Sequence, residues 1–165
     1  MDLPKRKPTR LREYDYSTPG AYFITICVKD RKQLLSQIVG QGLAPAENIL
    51  TPYGEIAKKQ MKLLEQRYPG VKIDKYVIMP NHIHVLISNY KIPAGASPRP
   101  TISDIICTFK SLTTINCRKK GLTDEHLFQS SFHDHIIRSE KDYKKIWEYI
   151  DTNVQRWEQD CFYIK

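Results

Sequence analysis

Residues 71–88 read VKIDKYVIMPNHIHVLIS. Two runs rich in Val, Ile and Tyr flank Pro80-Asn81, a turn too short to hold any other element. The spacing predicts an antiparallel hairpin with strands over 71–79 and 82–88. A lone hairpin is not stable in water, so this one needs further strands and a helical layer. The rest of the chain supplies both. AYFITICV (21–28) follows Pro19-Gly20 and predicts a strand, and 33–39 holds room for a short one. Thr51-Pro52 pairs an N-cap residue with proline at the first helical position. The helix it opens runs over 51–67, with Ile56, Met61, Leu63 and Leu64 at helical spacing, and ends before Pro69-Gly70. Residues 90–100 hold three prolines and predict a surface loop. Ile102, Ile105, Ile106, Phe109, Leu112 and Ile115 predict a second helix over 101–118. A short strand is expected at His135–Ile137. Ser139, with Asp142 three residues on, opens a last helix to about residue 159. Its apolar positions, Tyr143, Trp147, Ile150, Val154, Trp157 and Cys161, form one seam. The order β, α, β, β, α, β, α gives an α+β chain: a central antiparallel sheet with helices on one face, of the split βαβ, ferredoxin-like kind. With no repeat or linker, residues 1–165 are expected to form a single domain.

Composition narrows the function. The chain has 165 residues, 41% apolar and 27% charged, enough to bury a core and too apolar to stay disordered. No apolar run approaches a membrane span, and no apolar stretch follows the basic start MDLPKRKPTR, so a cytoplasmic location is expected. The four cysteines show no C-x-x-C spacing, which argues against a zinc ribbon and for a reducing compartment. Cys27 lies in an apolar strand and reads as a core residue. The balance of 26 Lys+Arg against 18 Asp+Glu gives +8, which favours an anionic partner, nucleic acid before a membrane surface. Residues 1–13, with Lys5, Arg6 and Lys7 among prolines, read as an extended basic arm; a frayed end and a phosphate-touching arm are both open.

The histidines carry the chemistry. Side chains alternate across a strand, so His82 and His84 share a face and Ile83 takes the other. Two imidazoles so placed can share a metal ion, or can be two surface histidines. His133-Asp134-His135 has a charged centre and is the weaker pair. A metal site needs a third ligand. On the last helix, about 100° per residue puts Tyr149 and Asn153 on one flank of the seam, one turn apart. Tyr143 falls in the seam and reads as packing.

YVIMPNHIHVLI (76–87) resembles the histidine–hydrophobe–histidine motif of single-tyrosine HUH transposases, and most of all the REP-associated tyrosine transposases. The likeness extends over LREYDYSTPGAYFITICVKDRK (11–32), TFKSLTT (108–114), FHDHIIRSEKDY (132–143) and the final Tyr-x-x-x-Asn. It implies cleavage and rejoining of single-stranded DNA at palindromic, hairpin-forming elements in DNA transposition, by a monomer or homodimer. Tyr149 would be the nucleophile, forming a 5′-phosphotyrosine link. His82, His84 and Asn153 would hold Mg²⁺ or Mn²⁺. Arg31, Lys110 and Arg138 would touch phosphates, and the arm with Lys5, Arg6 and Lys7 would hold the hairpin foot. Two departures stand out. Val154 follows Asn153 where the family usually has proline, which predicts that the helix continues to Trp157. Phe128 stands where a tryptophan is usual. Two other readings fit the same residues: a binding module of this fold that no longer cuts, and a metal hydrolase that uses an activated water and needs no tyrosine.

Overall fold

Residues 82–89 are buried along their whole length, although His82, His84 and Ser88 share one face with Leu86 and only Ile83, Val85 and Ile87 make the other apolar. The computed structural model of the chain describes residues 13–16, 18–40, 45–90 and 100–164. The arm expected at 1–13, with Lys5, Arg6 and Lys7, and nearly all of the loop at 90–100 lie outside the described residues. Among the described residues the strands and α-helices follow in this order: β1 (Gly20–Cys27), β2 (Ser36–Val39), β3 (Glu47–Leu50), α1 (Pro52–Arg67), β4 (Val71–Ile78), β5 (His82–Asn89), α2 (Ile102–Arg118), β6 (His133–Ile137) and α3 (Glu140–Thr152).

The main sheet has the order β4-β5-β1-β6, and every pairing in it is antiparallel. β4 and β5 form the expected hairpin. α1 joins β3 to β4 and α2 leads from β5 toward β6, so the βαββαβ order of the split fold is present, and the α+β expectation holds. Alternation assigns the two faces. Tyr22, Ile24 and Ile26 of β1 and Ile83, Val85 and Ile87 of β5 pack with Ala57, Met61 and Leu64 of α1 and Ile105, Ile106 and Phe109 of α2. Each such side chain contributes about 2 kcal/mol by leaving water. On the opposite face Phe23 and Leu86 meet Ile146 and Ile150 of α3. The helices therefore cover both faces, not one as expected. That is why every residue of β5, histidines included, is buried.

Capping follows the sequence. Thr51 Oγ1 accepts from the Gly54 backbone N–H at 3.1 Å, Thr101 and Asp104 form a reciprocal capping box, and Ser139 Oγ accepts from the Asp142 N–H at 3.1 Å. Gly54 has a steric reason. A Cβ there would lie 2.0 Å from the Leu35 carbonyl oxygen, so only glycine lets the first turn of α1 dock on the β2–β3 ribbon. β2 is shorter than the segment expected at 33–39, and its partner β3 was not expected at all.

The last helix differs most. α3 ends at Thr152, not near 159, and residues 157–159 form one 3₁₀ turn. The bonds tighten from i−4 to i−3 at Asn153 and again at Trp157. Proline is not needed to stop it; burial of Trp157 and the return of the chain over β5 set the turn instead. The seam is rotated too. Ile146, Ile150 and Asn153 are buried, whereas Trp147 is exposed and lies beneath the Lys75 ammonium at 4.8 Å. Cys161 is exposed and Cys27 buried, and all four cysteines are free thiols. Among the described residues, no helix is long and apolar enough to cross a membrane.

Candidate active site

β5 presents His82 and His84 toward α3, in register with Cys27 and Thr25 of β1. Both imidazoles are buried, and burial lowers each pKa from its ordinary 6.5 to about 3. They are therefore neutral at pH 7, the form a metal ligand needs. Their hydrogen bonds fix the tautomers. His82 Nδ1 lies 2.9 Å from Asn81 Oδ1. The other end of that amide donates to the Phe162 carbonyl at 2.8 Å. An amide oxygen only accepts, so His82 carries its proton on Nδ1 and presents a lone pair at Nε2. His84 Nε2, 3.0 Å away, donates to that lone pair. His84 Nδ1 then accepts from Thr25 Oγ1 at 2.8 Å. A cation needs both Nε2 lone pairs. Thr25 permits this, because a hydroxyl can change from donor to acceptor while His84 moves its proton to Nδ1.

α3 brings the tyrosine to the same place. The Tyr149 hydroxyl lies 3.3 Å from His84 Nε2 and 3.5 Å from Asp160 Oδ2. Its ring meets Phe23 and His84 edge-on. Burial, followed by the Asp160 charge, pushes the phenol up to about 12. Tyr149 is nevertheless 37% exposed, so the residue is held against the histidines without being enclosed. Asn153, 2% exposed, sits one turn on and donates from Nδ2 to Asp160 Oδ2 at 3.0 Å. Its Oδ1 is buried without a hydrogen-bond partner. The turn after α3 closes the site: Trp157 and Phe162 lie over His82 with ring centroids at 5.8 and 4.5 Å. His82, His84, Tyr149 and Asn153 are thus assembled within one chain. Tyr143 lies nearer the start of α3, stacked on Trp147.

The donor set fits a divalent cation. Ligand atoms of His82, His84 and Asp160 lie within 4.8 Å of one another, and the unpaired Asn153 Oδ1 is a fourth donor. Asp160, Thr25, Asn81 and Phe162 were not expected. Asn81 shows only as a turn residue in the sequence, and Thr25 faces His84 only once the β1–β5 register is known.

The cationic candidates divide. Arg31 is exposed at the edge of the site, its guanidinium 5.7 Å from the Phe162 ring. Lys110 lines a separate cavity of about 790 Å³ with Lys29, Arg118, Asp30, Glu125 and His126, to which neither His82 nor His84 contributes. Arg138 is exposed just after β6. His135 bonds Asp142 at 2.8 Å at the surface, so the second histidine pair is not part of the site.

The imidazole environment makes a stability prediction. Between pH 6.5 and 3 the unfolded chain binds protons that the metal-free native state refuses. Stability is therefore full above about pH 6.5 and falls as pH drops toward 3. Urea unfolding in EDTA should give a lower midpoint at pH 5.5 than at pH 7.5, with a flatter dependence in His84→Gln. Equal midpoints in the wild type would contradict the assignment.

Comparison with known proteins bears on the fold and the family. The chain is 34% identical over 174 residues to an uncharacterized protein of Haemophilus influenzae, covering 96% of this chain and 93% of that one. The fold is similar to a solved REP-associated tyrosine transposase bound to a REP hairpin, with a TM-score of 0.62 and 24% identity over 91% of this chain and 73% of that one. The family model described as "Transposase IS200 like" matches residues 18–153, which include β1, His82, His84 and the Tyr149–Asn153 pair. The chain belongs to the IS200-like transposase family.

Proposed function

We propose that the protein cuts and rejoins single-stranded DNA through a covalent link to Tyr149. The observation that carries this reading is the Tyr149 hydroxyl, 3.3 Å from His84 Nε2, on a residue that is 37% exposed. In the forward step Tyr149 Oη attacks the scissile phosphorus. The Oη–P bond forms, the P–O3′ bond breaks, the phenol loses its proton and the 3′ oxygen gains one. A 5′-phosphotyrosine and a free 3′-hydroxyl result. One phosphodiester replaces another, so attack by a 3′-hydroxyl on the adduct rejoins strands without ATP. With its pKa near 12, the phenol is protonated at neutral pH and must be activated as it reacts.

His82, His84 and Asn153 are the residues expected to hold Mg²⁺ or Mn²⁺. When bound, such an ion polarises the scissile phosphate and offsets charge in the transition state. The chain prepares for it by keeping both imidazoles neutral and by orienting them through Asn81 and Thr25. Trp157 and Phe162 screen His82 from water.

The substrate reading is single-stranded DNA with hairpin-forming elements. The REP hairpin held by the similar structure supports it, as does the net charge of +8. Arg31 beside the site, Lys110 in the separate cavity and Arg138 after β6 are the proposed phosphate contacts. Arg31→Ala should weaken binding of a hairpin oligonucleotide and lower the slope of log K against log salt by about 1. An unchanged slope would remove Arg31 from the interface.

The reaction itself is tested by denaturing electrophoresis of the protein mixed with hairpin-bearing oligonucleotides and Mn²⁺. A denaturation-resistant protein–DNA band that EDTA prevents is expected. Salt-sensitive binding with no such band would favour the non-cutting module.

A further inference from the structure

Asp160 buries its carboxylate to 1% exposure. Among the described residues, no lysine or arginine nitrogen pairs with it. Its neighbours are the Asn153 amide at 3.0 Å, the Tyr149 hydroxyl at 3.5 Å, His82 Nε2 at 3.8 Å and the Phe162 backbone N–H at 2.8 Å. These are hydrogen-bonding groups at close range, and among the described residues none of them is a lysine or arginine. Buried carboxylates in proteins pair with a cation or coordinate a metal. Two imidazole nitrogens and this carboxylate lie within 4.8 Å of one another, which is the donor set of a divalent-cation site.

We propose that Asp160 is a protein ligand of the divalent cation, joining His82 and His84 and supplying the one formal negative charge of the set. The inference rests on the metal reading above and changes its chemistry. Two imidazoles and an amide would leave the ion's charge uncompensated; with Asp160 one unit is balanced. Asn153 gains a second task, because its Nδ2 holds the Asp160 carboxylate while its Oδ1 is still available to the ion. Asp160 also lies beyond residue 153, where the family match stops. Part of the metal site thus comes from the turn after α3. That turn is already tied to β5, since the Phe162 carbonyl accepts from Asn81 and the Phe162 ring covers His82. Cation binding through Asp160 would pin this segment over the histidines.

Mn²⁺ binding by the full-length chain, followed by calorimetry, tests the proposal on wild type, Asp160→Asn and His82→Ala. The amide isostere keeps an acceptor for the Phe162 N–H. With far-UV circular dichroism unchanged, Asp160→Asn is expected to bind Mn²⁺ at least about 10-fold more weakly. Affinity within threefold of wild type would overturn the Asp160 assignment alone. No Mn²⁺ binding by wild type, or equal binding by His82→Ala, would overturn the metal reading itself. Should Asp160→Asn not fold, wild-type thiol chemistry decides. Cys161 and Cys107 are both exposed, and Mn²⁺ should slow alkylation of Cys161, the neighbour of Asp160, at least threefold while Cys107 is unchanged. An unaltered Cys161 rate would overturn the proposal.

Discussion

Tyr149→Phe is expected to yield a folded protein that still binds DNA and Mn²⁺ but forms no covalent adduct. The substitution removes one oxygen and keeps the ring. The edge-on contacts with Phe23 and His84, at 6.0 and 5.2 Å between centroids, survive. The lost hydroxyl contacts are long, at 3.3 and 3.5 Å, and partly solvated, so stability should change by less than about 1 kcal/mol. Loss of a nucleophile is another matter: strand joining should fall by about 10⁴-fold or more. Single-turnover assays on a hairpin oligonucleotide measure it. Joining within tenfold of wild type would mean that another group attacks, and the metal-hydrolase reading, which needs no tyrosine, would then gain.

His82→Ala should remove metal binding and weaken the fold together. His82 is wholly buried, with Trp157 and Phe162 over its ring and Asn81 Oδ1 on its Nδ1. Truncation leaves that amide oxygen without its donor and opens a void beneath two aromatic rings. The cost in metal-free buffer is about 2 kcal/mol by urea unfolding. Mn²⁺ affinity should fall by about 100-fold or more, beyond what disturbing a supporting group does. Wild-type Mn²⁺ affinity in this variant would show that the ion binds elsewhere.

Both variants bear on what the sequence reveals. The hairpin at 71–88 was legible because apolar runs, a Pro-Asn turn and β-branched residues all point the same way. The two-residue period of β5 separates His82 and His84 from Ile83. α1 was legible because Thr51-Pro52 marks its start, and α2 because its apolar residues repeat at helical spacing; the Thr101 cap of α2 emerged with the structure. α3 was only half legible. Its start carries a cap, but its end depends on tertiary packing. Trp157 is buried by leaving the helix, and nothing local in Asn153-Val154-Gln155 announces that. The seam misled for a related reason, since Trp147 finds Lys75 at the surface while the smaller Ile146 takes the interior. β3 has only four residues, and its pairing with β2 is not a local property. At the site, the histidines declare themselves by alternation, and Tyr149 and Asn153 by one-turn spacing together with the resemblance. Asp160 shows nothing of the kind. In the sequence it is one acid in a polar tail, and only the turn after α3 brings it to the histidines.

The most direct measurement of the central claim is identification of the residue that becomes linked to DNA. The protein is mixed with hairpin-bearing single strands and Mn²⁺, digested, and the nucleotide-modified peptide is sequenced by mass spectrometry. The structure predicts a single modified residue, Tyr149, absent when EDTA is present and absent in His82→Ala. Modification of Tyr143 instead, or an adduct that forms equally well in EDTA, would contradict the account.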